Sequence, residues 1–598
     1  MKSLKNKLLL LGGVLVTFLV ITACKKFLEK TPLGTLSPEV MASEKGIQGL
    51  LIGAYSLVDG EGAAGDGFAS GASNWILGGV TSDDAYKGSD PTDVGEAAPM
   101  EQWTTLTPTN SAIPQKWIVC YAGIQRCNDA MNTMKLATDI TPAKQTLITA
   151  QARFLRAFYH MELKKVFGNI VFADETVSPT NTNVNNNDQA AVMTKIQADL
   201  DYAVANLPDT WGADVGRANK WAAKAMLAKF YMYQGTTKYA TAYPILQDII
   251  ASGKTAKGDK YGLNDHYYSN FNPAQKNSKE SVFAAQTSVK DNSSVDWGGD
   301  PNGNYGDILN FPYTGGPGAC CGFYNPSQDL ANAYKTDANG LPLLDDSWIN
   351  KPWVDSAHGS YVGNLDPRVD WAIGRPKVPY LDWGLHPGTN WIRNPVNDGF
   401  FSPKKNVYAT TQKDGFTDVG SAYWGPTELV ANNVNIIRFS DVLLWAAECA
   451  AEANDLTKAR DYVNQVRTRA AIPSGWVYIN SPYDAASATY TTQTTPADTY
   501  KVGLYTAPFP DKATAIKAVR MERRLELAME GHRFFDLVRW GVAATTINAY
   551  IAREKVARPL KLTAVFVAGK NEVMPIPQSE IDNMNSDGTV RLKQNPGY

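Results

Sequence analysis

Apolar positions recur at helical spacing over much of this chain and lose that period in one long stretch. Helical patterns run over about 37–58, 112–135, 142–168, 188–206, 217–235 and 240–252, then 436–453, 456–470 and 513–540. Ser37-Pro38-Glu39 supplies a start signal for the first, a cap residue followed by proline at the first helical position. Small residues crowd one side of several patterns, as in Trp221, Ala222, Ala225, Met226, Ala228, Lys229 and Met232. Alanines at that spacing let antiparallel helices approach closely, as in tetratricopeptide-type solenoids. No strict 34-residue period is visible, so any repeats are degenerate. The reading is a mainly α protein: a tetratricopeptide-like scaffold of helical pairs carrying a large irregular, loop-rich lobe.

The lobe is 260–425, rich in Gly, Pro, Asn, Asp and Trp, with Trp297, Trp348, Trp353, Trp371, Trp383, Trp391 and Trp424 inside it. A polar, turn-rich segment of that length is usually functional or braced by a scaffold. The scaffold then divides into 37–259 and 426–598. Asn181–Asp188 and Asp484–Thr499 read as solvent loops, and Asp337-Ala338-Asn339-Gly340 as a plain turn that lacks the later ligands of a calcium loop.

The densest patterning lies in Arg520–Gly541, which reads as one helix. Met521, Leu525, Ala528, Met529 and Phe535 give it a buried face, while Arg523–Glu526, Glu530–Arg533 and Asp536–Arg539 are i,i+3 pairs. These charges are either an acid/base site or a keystone network of matched ions. The cost of burying a lone charge favours the network.

Composition removes some functions. The formal net charge is −2, which leaves no electrostatic footprint for nucleic acid. Aromatics reach 11%, with 15 Trp and 28 Tyr; such rings build cores and also stack on flat partners. Five His without a C-x-x-C give no zinc pattern, and no P-loop, nucleophile elbow or dinucleotide fingerprint is present. No metal or cofactor is expected. The paired carboxylates of a glycosidase are set by spatial rather than sequence spacing, so the pattern is silent on them.

The N-terminus is an address rather than part of the fold. Lys2, Lys5 and Lys7 precede the 13-residue apolar run Leu8–Val20, which is shorter than an ordinary transmembrane span. Ile21-Thr22-Ala23-Cys24 follows and resembles a bacterial lipobox, with Ile21 where leucine is more usual. The implied chemistry is removal of residues 1–23 and lipidation of Cys24, leaving 24–36 as a linker. That tethers the protein to a membrane without spanning it.

Cys120, Cys127, Cys320, Cys321 and Cys449 remain, an odd number. Cys120 and Cys127 on one helix lie roughly 10 Å apart along its axis, too far to bridge. Cys320-Cys321, in Gly315-Gly316-Pro317-Gly318-Ala319-Cys320-Cys321-Gly322, has three readings: a disulfide between neighbours, two buried thiols, or one bridge elsewhere. A disulfide between neighbours would present a rigid, weakly polar plate.

Several motifs in order resemble the SusD/RagB family of outer-membrane nutrient-binding lipoproteins. They are Ala152-Arg153-Phe154-Leu155-Arg156-Ala157, Asp366-Pro367-Arg368, Ile437–Leu444 with Glu448, the Arg520–Gly541 segment, and Met574–Ile581 with the terminal Gln594–Tyr598. Cys449 stands where alanine is expected. The resemblance implies a lipid-anchored protein on the outer face of the outer membrane, acting as the lid of a SusC-like TonB-dependent transporter and capturing oligosaccharides. A surface glycoside hydrolase and a peptide binder are the competing functions. For the saccharide reading, Trp103 and the Cys320-Cys321 plate are the expected stacking surfaces, with Trp297. Asp59, Asp83, Asp84, Arg393 and Tyr423 are the expected polar contacts, because neutral sugars are held by stacking and by charge-assisted hydrogen bonds.

Overall fold

The computed structural model describes residues 37–62, 67–177, 184–293, 302–318, 320–349, 361–418 and 429–598. Cys24, Trp297 and Tyr423 lie outside them.

Among the described residues nine helices form the scaffold: α1 Glu44–Ser56, α2 Ile113–Met134, α3 Pro142–Phe167, α4 Gln189–Asn206, α5 Lys220–Met232, α6 Tyr239–Ser252, α7 Phe439–Glu452, α8 Leu456–Ala470 and α9 Lys512–Leu527. Several of their starts are set by side chains that accept the first free amides. Asp188, Asn219, Asp455 and Asp511 cap the amides of Ala191, Ala222, Lys458 and Thr514. The Ser37 cap does not hold the first helix as expected. Pro38–Met41 is a single turn, and the chain restarts at Ser43, whose hydroxyl accepts the Gly46 amide. Each helix packs on the next, and α6 packs on α7 although the lobe separates them in sequence. Short connections make α2–α3, α5–α6 and α7–α8 antiparallel pairs; a main hydrophobic core runs through the array, with a small alanine-rich cluster where α7, α8 and α9 meet.

Between α6 and α7 the described residues hold only 3₁₀ turns, helices of one or two turns, and short ladders. Two ladders tie this lobe down. β1 (Ala85–Gly88) pairs antiparallel with β3 (Phe323–Pro326), and β2 (Ser281–Ala285) with β4 (Val434–Arg438), which leads into α7. The stretch expected as an open loop at 484–499 contains a small hairpin, Tyr483–Asp484 with Thr489–Tyr490. Asp337–Gly340 is a turn, its Asp337 Oδ1 accepting the amides of Asn339 and Leu341, each at 2.8 Å.

The expected helix over 513–540 is broken. α9 ends at Leu527 and α10 (Arg533–Arg539) begins after a bend in which Met529 and Gly531 take φ of 62° and 68°. The bend has a steric cause: a Cβ on Gly531 would lie 1.9 Å from the Ser73 carbonyl oxygen. The backbone leading into the helical turn Trp75–Val80 occupies that space.

The break redirects the charges. Of the three expected i,i+3 pairs only Asp536–Arg539 forms, at 2.8 Å. Glu526 is held by Arg368, Arg438 and Arg469, and Glu530 by Arg438 and Lys405. Arg523 turns to Asp441 and Asp536, and Arg533 to Asp83. Glu280 bonds Arg438 and Arg469, Asp366 bonds Arg368, and Glu522 bonds Arg368 and Arg467. Five cations (Arg368, Lys405, Arg438, Arg467, Arg469) thus face five carboxylates (Glu280, Asp366, Glu522, Glu526, Glu530); nine of the ten residues are buried, and Glu530, half-buried as a residue, keeps only 7% of its side chain exposed. Glu280, Asp366, Arg368 and Lys405 come from the lobe and the rest from the scaffold and the bend after it. The network is therefore the joint between them.

Candidate functional site

The β1–β3 ladder brings distant loops to one end. Its last pair is Gly88↔Phe323. Immediately beyond it lie Ser89–Asp93 on one strand's continuation and Cys321-Gly322 on the other's approach. The Ser89 amide donates to the Gly322 carbonyl at 2.8 Å. Buried Lys87 donates to the carbonyls of Asp90 and Asp93 at 2.9 and 2.6 Å, which shapes the acidic loop.

Cys320 and Cys321 are bonded to each other, which resolves the three readings of this pair; Cys120, Cys127 and Cys449 are buried free thiols. Cys321 has φ of 85°, a left-handed backbone that favours glycine, and Gly322 follows at 69°. Cys320 is half-buried and Cys321 buried. The glycine run before the pair lies over an indole: a Cβ on Gly316 would sit 2.4 Å from the Trp391 ring. The Trp391 carbonyl in turn accepts the Tyr313 amide at 2.9 Å. Two residues after Trp391, Arg393 reaches back to the ladder end. It bonds Asp90 at 2.8 Å, Asp93 at 2.6 Å and the Ser89 hydroxyl at 2.9 Å, with its guanidinium 5.5 Å from the centre of the Tyr313 ring. Arg393 keeps 30% of its side chain exposed, and Tyr313 and Thr314 also reach the surface. The result is an aromatic ring, a disulfide and a fixed guanidinium with two carboxylates on one surface.

The expected site residues divide. Cys320, Cys321 and Arg393 come together here. Asp59 belongs to another neighbourhood: it ends the turn after α1, its carboxylate accepts the Glu61 amide at 2.9 Å, and Phe68 and Tyr305 stack nearby with centres 6.1 Å apart. Trp297 and Tyr423 lie outside the described residues.

Asp83, Asp84 and Trp103 are interior, contrary to the ligand role expected for them. Asp83 bonds Arg533 at 2.8 Å and Arg524 at 3.1 Å, and Asp84 bonds Arg524 at 2.8 Å. Burial disfavours the charge on Asp83, but Arg524 and Arg533 outweigh it and hold that carboxyl well below its usual range. Burial pushes Asp84 up, against Arg524 and with the help of the Asp83 charge. Both acids are thus used to fasten the β1 loop to α9 and α10. Trp103 is 3% exposed and lies against Phe566 and Phe534, with ring centres 4.9 and 5.3 Å away, so no face is left for a sugar.

Sequence reasoning missed Tyr313, Ser89, Asp90 and Asp93. Tyr313 carried a signal, since Pro312-Tyr313-Thr314 opens the same glycine-rich loop as the cysteines. The others are placed by strand pairing between segments more than two hundred residues apart, which leaves no local trace.

Among the described residues no group of His, Cys, Asp and Glu is arranged to hold a metal ion, and no helix is long and apolar enough to cross a membrane.

The fold has close relatives among solved structures. A laminarin-binding SusD-like protein superposes with a TM-score of 0.65 and 23% identity, covering 93% of this chain and 100% of that one. Surface glycan-binding protein A from Bacteroides thetaiotaomicron, in complex with laminarihexaose, gives a TM-score of 0.61 and 23% identity over 92% of this chain and 99% of that one. In sequence, SusD-like protein P25 of Formosa agariphila is 23% identical over 554 residues, 90% of each chain. A family described as "Starch-binding associating with outer membrane" matches residues 26–232, and the SusD family matches residues 279–598. With more than half of its length matched, together with this helical architecture, the chain belongs to the SusD family.

Proposed function

We propose that the protein is a cell-surface saccharide-binding lipoprotein. It captures oligosaccharides on the surface formed by Cys320-Cys321, Tyr313 and Arg393. Cys24 carries its lipid and holds it to the outer face of the outer membrane, where it passes ligand to a SusC-like TonB-dependent transporter that it covers as a lid. The observation that carries this reading is the disulfide plate itself, set beside an aromatic ring and a partly exposed guanidinium whose position is fixed by Asp90 and Asp93. A sugar ring presents C–H faces to such a surface and hydroxyls to its charged rim. That one relative of this fold was solved with laminarihexaose and another is named for laminarin supports a saccharide rather than a peptide. Binding rather than catalysis fits the arrangement: Asp90 and Asp93 are both engaged in positioning Arg393.

Calorimetry of residues 25–598 with laminarihexaose, starch oligosaccharides and peptides tests this. Binding of an oligosaccharide without turnover is expected; cleavage of the sugar, or binding of peptides alone, would overturn it. The anchor has its own test. Cys24→Ser should move the protein out of membrane fractions, and unchanged fractionation would refute lipidation.

A further inference from the structure

A cavity of about 170 Å³ opens between α3, α4, α5, α10 and residues 572–573, and shares no lining residue with the disulfide plate. Dry cavities of about 150 Å³ hold benzene, so this one has room for a body about one ring in size. Met161, Met193, Met226, Phe230, Phe535 and Val538 line it. Thioether side chains adapt to irregular apolar shapes, so these walls suit a ring or a branched chain.

The cavity also holds a cation with nothing to match it. Three lysines share one carboxylate there. Glu162 is bonded by Lys165 at 2.6 Å and by Lys116 at 3.4 Å. Lys229 feels the Glu162 charge but forms no ion pair with it. Lys229 is 4% exposed and lines the cavity, and among the described residues its ammonium has no hydrogen-bond or ion-pair partner. Its Nζ is not sealed in: it keeps accessible surface, as does the equally unbonded hydroxyl of Tyr233, one turn further on. The two donors are neighbours, with the Lys229 ammonium 5.9 Å from the centre of the Tyr233 ring.

The other cations of the lining are occupied. Arg539 is held by Glu448 and Asp536, each at 2.8 Å, and Lys164 donates to Gln189 at 2.8 Å. Glu572, the second carboxylate of the lining, is half-buried and forms no ion pair. Burying an unmatched ammonium is costly, and burial lowers the Lys229 pKa, against the pull of Glu162. An anion brought to Nζ would remove that cost, and the apolar walls would take the group it is attached to.

We propose that this cavity binds a monocarboxylate with an apolar body about one ring in size, its carboxylate taken by the Lys229 ammonium and the Tyr233 hydroxyl and its body lodged among Met161, Met193, Met226 and Phe535. The site does not rest on the saccharide reading.

The test titrates three probes into residues 25–598 by calorimetry: phenylacetate, its neutral counterpart 2-phenylethanol, and acetate, which lacks the ring. Phenylacetate should bind, and the other two at least tenfold more weakly, since each lacks one half of the match. Lys229→Met keeps the apolar stem and removes the unmatched charge, so it should fold without loss of melting temperature. It should weaken phenylacetate about tenfold, the loss of one charge-assisted bond, and leave 2-phenylethanol unchanged. Tyr233→Phe keeps the ring and should weaken phenylacetate about fivefold; it carries the test if Lys229→Met fails to fold. No binding of phenylacetate to the wild type, or equal affinity for 2-phenylethanol, would overturn the proposal. So would undiminished affinity in Lys229→Met, or in Tyr233→Phe where Lys229→Met does not fold.

Discussion

The joint around Glu526 and the surface around Cys320-Cys321 use charge in opposite ways. At the joint, five cations meet five carboxylates with almost no solvent, so each group is held by its partners and a ligand finds no free valence. At the plate, Arg393 has partners too, but 30% of its side chain remains exposed beside a half-buried ring. The difference shows why a motif dense in charge can be silent in function. A buried ion network specifies how segments meet, and its cost of desolvation is recovered only if every member is present. A binding surface needs few charges, fixed in place and left partly in water.

The largest effect should come from breaking the joint. Glu526→Ala leaves Arg368, Arg438 and Arg469 facing one another without their common acceptor, and should cost about 3–5 kcal/mol or prevent folding. Denaturant titration measures it. A variant of unchanged stability would remove the network from its structural role. Acid probes this network, through Glu530, and the neighbouring ion pairs of Asp536. Burial raises Glu530 and Asp536, but Arg438 and Lys405 in one case and Arg523 and Arg539 in the other hold each down to about 2. Lowered carboxyls contribute stability above their unfolded values, 4.5 and 3.8, that is lost as pH falls through 2. The wild type should therefore weaken steeply between about pH 4.5 and 2.

Trp103 sharpens the comparison from the interior side. Its ring fills the space between Phe534 and Phe566, so Trp103→Ala should cost about 3 kcal/mol of stability, in the range for large aromatic truncations. Affinity per folded molecule should not change. A stable Trp103→Ala that fails to bind sugar would return this residue to the ligand set.

How far the sequence could reach follows from the same contrast. Helix positions were legible because cap residues and apolar periods are local: the 456–470 pattern is α8, and the 142–168 pattern ends one residue from α3. The break at Met529–Gly531 was not, because its cause is the Ser73 backbone, more than four hundred residues away. That the charges of Arg520–Gly541 form a matched network followed from the cost of burial; their partners did not, because Arg438, Arg368 and Lys405 arrive through tertiary packing. At the plate, adjacent cysteines among glycines were a local signal. Asp83-Asp84 offered an equally local signal and misled, since a Gly/Ser-rich setting does not reveal that Arg524 and Arg533 close over it.

On the surface side the expected effect is on binding alone. Tyr313→Ala removes the ring beside Arg393 and should cost about 2 kcal/mol of affinity for laminarihexaose, roughly thirtyfold. The melting temperature should hold within a few degrees. Unchanged affinity would detach the saccharide from this surface. Reduction of Cys320-Cys321 should weaken binding by a smaller factor, since the ring and guanidinium remain.

The smallest effect concerns a charge that neither region satisfies. Asp398 ends a short turn behind β1, is buried, and has one carboxylate oxygen without a partner. Burial pushes its carboxyl up to about 8, Glu101 adds to the rise, and Lys87 opposes it. A raised acid binds a proton in the fold that the unfolded chain has released. The stability it contributes is complete below the unfolded value of 3.8 and is lost as pH rises through about 8. Urea titrations of the wild type at pH 7 and pH 9 should differ by about 1–2 kcal/mol, with the alkaline value lower. Asp398→Asn keeps the shape and cannot ionise, so it should be the more stable form at pH 9 and show a flatter profile. The same alkaline loss in Asp398→Asn would place its origin elsewhere. A flat profile in that variant would show that this interior tolerates an unmatched acid only as its neutral form, whereas the joint keeps its carboxylates charged because each has its arginine or lysine.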